Sequence, residues 1–230
     1  VGSRGLGDVY KRQLWDFEAR PISEDDKDNL KSYERISKRG FKGSLYKTDE
    51  FINQHPFGTV PAGFVGDEHL GVFESNSILR AVARECKDKT LYGGEDINLK
   101  SRIDSYLDAN LVFSREFQVY LLELEDITKY TYERTKSAYQ FYMDGLENSL
   151  SKNNFLAGDS LSIADISFVC EFAQFLREGH YLNQLKSKNL SLISENFQTD
   201  YPLTFKHFKN LCNKKEFSDV MGTYLDWYKM

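Results

Sequence analysis

Residues 58–84 read GTVPAGFVGDEHLGVFESNSILRAVAR. Two short apolar runs, Thr59 to Val65 and Leu70 to Phe73, flank the tetrad Gly66-Asp67-Glu68-His69. Short runs rich in Val and Phe, separated by Gly and Asp, predict a β-hairpin. From Ser75 the pattern changes. Ile78, Leu79 and Val82 recur at three- and four-residue steps, which predicts a helix over 75–86. The hairpin is entered through a Val60-Pro61 step and left through Glu74-Ser75, an acid and a hydroxyl side by side at a helix start. A helix N-terminus carries free N–H groups and partial positive charge, so it attracts a carboxylate. The plainer reading makes Ser75 an N-cap and Glu74 a favourable neighbour of the helix dipole.

Upstream, Leu14 to Ile22 predicts a short strand, Glu24 to Lys31 a loop or weak helix, and Asp49 to Gln54 a short helix. His55-Pro56-Phe57-Gly58 is a turn signal. Residues 14–86 therefore read strand, loop, helix, hairpin, helix. Downstream, 87–96 is polar with a Gly93-Gly94 pair and reads as a linker. Everything beyond reads helical. Ile103, Tyr106, Leu107, Asn110, Leu111, Phe117, Tyr120, Leu121 and Leu124 form one stripe, and Tyr132, Thr135, Tyr139, Tyr142, Leu146 and Leu150 a second. Such stripes are core rather than ligand pocket. The clearest helix start is Leu161-Ser162-Ile163-Ala164-Asp165-Ile166. Ser162 as N-cap and Asp165 at N3 have capping-box spacing, and Leu161 and Ile166 fit a hydrophobic staple.

The 230 residues carry a net charge of -5, with 40% hydrophobic and 28% charged residues. No global basic excess exists, which argues against a nucleic-acid partner. No run of 18 apolar residues occurs, so no membrane span is expected. Cys86, Cys170 and Cys212 have no metal-like spacing. No metal is expected, and a reducing, cytoplasmic setting follows. Residues 3–13, SRGLGDVYKRQ, match the translation of a transposase adapter used in sequencing libraries. Residues 1–13 are accordingly set aside as adapter-derived, with the expectation that the native N-terminus has been cut off.

Three segments taken in order, Pro56-Phe57-Gly58-Thr59-Val60-Pro61, Phe73-Glu74-Ser75-Asn76-Ser77-Ile78 and Leu161-Ser162-Ile163-Ala164-Asp165-Ile166, resemble the cytosolic glutathione transferase family. The resemblance covers residues 14 to about 228. It implies an α/β thioredoxin-like N-terminal domain over 14–86, a linker over 87–96 and an all-α C-terminal domain over 97–230. The stretch from Trp15 to Ile22 matches the family's second strand, so the first strand and first helix are expected to be missing. The family's catalytic Tyr, Ser or Cys lies in that segment; no catalytic residue is assigned, and the chain as it stands is expected to be inactive.

The same resemblance implies glutathione as co-substrate, a hydrophobic electrophile, a detoxifying conjugation reaction and a cytoplasmic homodimer. It assigns Val60, with Pro61 cis, to the glutathione backbone, and Glu74 and Ser75 to the γ-glutamyl ammonium and carboxylate. Asp104 or Asp108 would reach the glutathione of a partner subunit; ordinary solvated acids are the alternative. Thr59 stands where Lys is common and His55 where Asn is usual. His55 or Lys47 is then a substitute contact for the glycyl carboxylate, or else a solvated surface residue. A second resemblance, over Phe64 to Ile78 and Ser162 to Cys170, is to the transferase-like domain of elongation factor 1 gamma, a non-catalytic module that assembles with a partner subunit. That protein continues into a charged linker and a further domain; the stop at Met230 favours a stand-alone transferase.

Overall fold

The structure, a computed structural model, describes residues 19–21, 32–36, 44–66 and 70–221. Side chains are described from residue 51 onward within those ranges. The expectations for residues 1–18, for 24–31 and for the hairpin tip at 67–69 fall outside the described residues. The chain divides into two compact units, Val1–Val82 and Ala83–Met230.

The first unit is α/β. Strands β1 (Ala19–Pro21), β2 (Ser32–Ile36) and β3 (Ser44–Thr48) form an antiparallel sheet in the order β1-β3-β2. Ala19 pairs with Lys47, and Ser32 with Thr48. Strands β2 and β3 are additions to the sequence reading, which placed a loop or weak helix over 24–31 and no strand between Ile22 and the helix α1 (Asp49–Gln54). Strands β4 (Ala62–Val65) and β5 (Leu70–Phe73) form the expected hairpin as a separate two-stranded sheet. The expected strand from Thr59 begins only at Ala62, because Pro61 has no N–H to give to a ladder. Helix α2 (Ser75–Glu85) follows.

Aromatic contacts tie α1 to the hairpin. Phe51 meets Phe64 edge-on at 6.3 Å, and the His55 ring stacks on Phe73 at 4.6 Å. Gly71 in β5 permits the close approach: a Cβ there would lie 1.9 Å from the Gln54 carbonyl oxygen.

The second unit is helical. Its first residues are more ordered than a plain linker. Asp88 caps a 3-10 turn over Lys89–Tyr92, Gly93 closes it in the left-handed region (φ 76), and Asp96 accepts from the Asn98 and Leu99 amides. Helices α3 (Ile97–Glu123) and α4 (Lys129–Leu150) follow, then α5 (Ile163–Phe175). Four shorter helices complete the described chain: α6 (Leu182–Ser187), α7 (Phe197–Asp200), α8 (Pro202–Cys212) and α9 (Lys215–Met221). Helix α5 buries almost its whole circumference, including Phe168, Val169, Phe172 and Phe175. Phe172 lies 4.6 Å from Phe197 and 5.2 Å from Phe208, while Phe113 stacks on Tyr142 at 5.0 Å. Of the two expected stripes most members are buried; Tyr106, Leu111, Leu121 and Leu150 are only half-buried.

Candidate functional site

The hairpin register builds the first candidate site. Ala62 and Phe73 are the last paired residues of β4 and β5. Pro61 and Glu74, each one residue beyond that pair, therefore emerge at the same end of the sheet. The Val60–Pro61 peptide is cis. Val60 is 75% exposed. Glu74 and Ser75 are half-buried.

Glu74 sits at φ 67, in the left-handed region that a non-glycine residue rarely adopts. Its carbonyl accepts the Ile78 amide at 3.0 Å, the first bond of α2. Glu74 thus holds the N-cap position, and Ser75 is the first helical residue. The reading of Ser75 as the N-cap is corrected accordingly. The Ser75 and Asn76 amides belong to the first turn, where N–H groups have no carbonyl within the helix. Exposed carboxylates are matched there by hydrogen bonding and by the dipole.

His55 is not a solvated residue. It is wholly buried, with Nε2 3.3 Å from Thr59 Oγ1 and its ring on Phe73. It supports the loop leading into Val60 from beneath. Lys47 lies in β3.

In the second unit Asp104 and Asp108 stand one turn apart on α3. Both oxygens of Asp104 take the hydroxyl of the buried Tyr92, at 3.0 and 3.0 Å, which fastens the 3-10 turn to the helix. Asp108 is exposed.

The capping box at Ser162 and Asp165 is closed. Asp165 also accepts the Leu156 amide at 2.9 Å and faces His207 Nε2 at 2.9 Å. A second buried carboxylate, Glu178, takes the Tyr120 hydroxyl, the Ile193 and Ser194 amides and the Ser194 hydroxyl. Burial pushes the Glu178 carboxyl above its ordinary value, against the pull of those four donors. Sequence reasoning missed His207 and Glu178. Neither stands out in the sequence: Glu178 lies in Leu176-Arg177-Glu178-Gly179-His180 and His207 in Phe205-Lys206-His207-Phe208-Lys209, among other charged residues.

Among the described residues no three His, Cys, Asp or Glu side chains are placed to hold a metal ion. No described helix is long and apolar enough to cross a membrane.

Residues 118–215 match the family model of the glutathione S-transferase C-terminal domain. Elongation factor 1-gamma 1 of Oryza sativa subsp. japonica is 29% identical over 198 residues, covering 81% of this chain and 42% of that protein. Elongation factor 1-gamma of Artemia salina is 26% identical over 192 residues, covering 82% and 40%. The chain thus spans about two fifths of the length of these relatives. Among solved structures, Ure2p5 from Phanerochaete chrysosporium, cocrystallized with 1-(S-glutathionyl)-2,4-dinitrobenzene, superposes with a TM-score of 0.61 at 18% identity, over 80% of this chain and 86% of that one. Glutathione S-transferase-I bound with lactoylglutathione gives 0.59 at 20% identity, over 75% and 78%. The chain has the glutathione transferase fold, an α/β thioredoxin-like unit followed by an all-helical unit, with a sequence likeness to elongation factor 1-gamma.

Proposed function

We propose that this chain is a transferase-fold module of the elongation factor 1-gamma kind, acting in translation elongation through contacts of its helical unit with a partner subunit in the cytoplasm. The observation that carries this reading is the run of relatives. Proteins named elongation factor 1-gamma, from plants and animals, align with about four fifths of the chain. The domain limits in this reading are 14–86, 87–96 and 97–230. The test is to mix the purified chain with the partner subunit of an elongation factor 1 complex and measure mass by light scattering on a sizing column. A joint species at the summed mass is expected. Two separate peaks overturn the reading.

A second reading is supported by the hairpin end, where Val60, Pro61, Glu74 and Ser75 lie together. There the chain binds glutathione. Glu74 accepts from the γ-glutamyl ammonium, the first-turn amides and Ser75 hold the carboxylate, and Val60 pairs with the peptide backbone. Conjugation to a hydrophobic electrophile further needs a group that stabilises the thiolate, because a free thiol has a pKa of about 8.5. No residue of this chain is assigned that task. In a homodimer Asp104 or Asp108 would reach the glutathione of the partner subunit; Asp108 is exposed, whereas Asp104 already accepts from Tyr92. Calorimetry with glutathione tests binding, and turnover of an aromatic electrophile tests conjugation; a flat titration removes this reading.

A further inference from the structure

One buried imidazole touches both arms of the hairpin end. The first arm is Thr59-Val60, the second Phe73-Glu74. His55 is 0% exposed. Its Nε2 lies 3.3 Å from the hydroxyl of Thr59, the chain neighbour of Val60. Its ring lies nearly parallel to that of Phe73, the chain neighbour of Glu74, with 4.6 Å between centroids and 10° between planes. One contact uses an edge nitrogen and the other a ring face, so both are made at once.

His55 is itself firmly set. Its amide donates to the Phe51 carbonyl at 2.8 Å, and its carbonyl accepts the Gly58 amide at 2.8 Å, which closes the turn. Gly58 takes φ 57 there, a conformation glycine adopts without strain. Phe57, carried by the same turn, meets the Phe73 ring edge-on at 5.4 Å. Two rings of one turn thus grip Phe73.

Both arms depend on such support. Glu74 sits at φ 67, and a non-glycine residue stays there only where its surroundings over-determine it. Phe73 on one side and the start of α2 on the other supply that constraint. Thr59 and Val60 are exposed, so packing does little to fix them, and the bond to His55 reaches their loop from the buried side. A phenylalanine at position 55 could still stack on Phe73, but it has no nitrogen for Thr59.

We propose that His55 is the positioning residue of the hairpin end, holding the Val60 main chain and the Glu74 carboxylate in one fixed relation for a γ-glutamyl peptide. The inference rests on the glutathione reading given above. Contact with the ligand stays with Val60, Glu74 and Ser75; His55 acts through Thr59 and Phe73.

The test uses the full chain, without ligand and with it. Without ligand, the amide resonance of Ser75 is followed by NMR. Thr59→Val removes only the hydroxyl end of the bond, at an exposed position. It is expected to shift the Ser75 amide, on the other arm. In a His55→Phe background no bond is left to break, so the same change should shift it no further. Thr59→Ser keeps the hydroxyl and should leave the Ser75 amide where the parent has it. With glutathione, calorimetry should show Thr59→Val and His55→Phe each about tenfold weaker than the parent. The double variant should be no weaker than either single one, and Thr59→Ser as tight as the parent. Rescue by Thr59→Ser is not expected of a histidine that only fills space. A Ser75 amide that ignores Thr59→Val, or that responds equally in the His55→Phe background, overturns the inference. So does a Thr59→Val chain that binds glutathione as tightly as the parent. A flat titration of the parent, with the shifts coupled as expected, removes glutathione as the ligand and sustains His55 as the residue that aligns the two arms.

Discussion

His207 and Asp165, 42 positions apart in the chain, meet at 2.9 Å between Nε2 and Oδ1 inside the helical unit. The same oxygen accepts the Leu156 amide, and Oδ2 accepts the amide and hydroxyl of Ser162, each at 2.9 Å. One wholly buried carboxylate thus joins the loop before α5, the start of α5 and helix α8. Removing it leaves several buried donors unmet, at about 1–3 kcal/mol each. Asp165→Ala should destabilise by at least about 3 kcal/mol, and Ser162→Ala by about 1 kcal/mol. The double variant should lose less than the sum, since both changes break one network. Urea unfolding followed by circular dichroism measures all three; strictly additive losses would mean that Asp165 is not the hub.

Glu171 on α5 makes stability depend on pH. Burial holds its carboxyl above the ordinary range, while Ser114 and Arg115 pull the other way. Its Oε2 is buried without a hydrogen-bond partner among the described residues. A folded pKa above the unfolded value, about 4.3, contributes stability at low pH that is lost as pH rises through the folded pKa. Glu171→Gln stays neutral throughout. It should match the parent near pH 4 and exceed it in stability as pH rises toward 8. Urea midpoints taken across that range check this; a difference that does not change with pH contradicts it.

Legibility followed locality. The hairpin, α2 and the start of α5 could be read because their periods of two and 3.6 residues, and the Ser162–Asp165 cap, involve only near neighbours. From the hairpin alone, Pro61 and Glu74 were already at one end of a sheet. Strands β2 and β3 were not visible. SYERI and SLYKT each hold two apolar residues among charges, and they are strands because they pair with each other. Asp165 could be seen as a cap, but not as the partner of His207. Glu178 meets Tyr120 across 58 positions, a separation no spacing rule reaches. The exposure of His55 was misjudged for a related reason. Its burial comes from Phe73 on the far strand of the hairpin.

If the hairpin end is a glutathione site, Glu74→Ala and Ser75→Ala should each weaken glutathione binding about tenfold or more, the loss expected for one charge-assisted hydrogen bond. Both positions are half-buried at the head of α2, so circular dichroism should first show the helix intact. Calorimetry then reads the affinity. Unchanged binding in both variants would move the site away from these residues.

The seat of α1 on β5 depends on Gly71 having no side chain. A Cβ at that position would stand 1.9 Å from the Gln54 carbonyl oxygen, 2.7 Å from its carbon and 3.2 Å from the Gln54 Cβ. The obstacle is main chain, which no rotamer change can clear. The Gly71 amide also donates to Gln54 Oε1 at 3.3 Å, so a displaced helix end would forfeit that bond. Gln54 ends the helix that carries Phe51 against Phe64, and His55 follows it directly. A shift at Gly71 would therefore spread to both aromatic contacts and to the loop under Val60. Gly71→Ala should destabilise the first unit by about 1–3 kcal/mol, the usual range for overpacking. Gly63→Ala on the facing strand is the control. Its Cβ would meet Ile78 Cγ1 at 3.4 Å, an ordinary contact, and the change should be close to neutral. Hydrogen exchange at the β4 and β5 amides should speed up in the first variant and not in the second. Equal protection in the two would mean that α1 does not rest on β5.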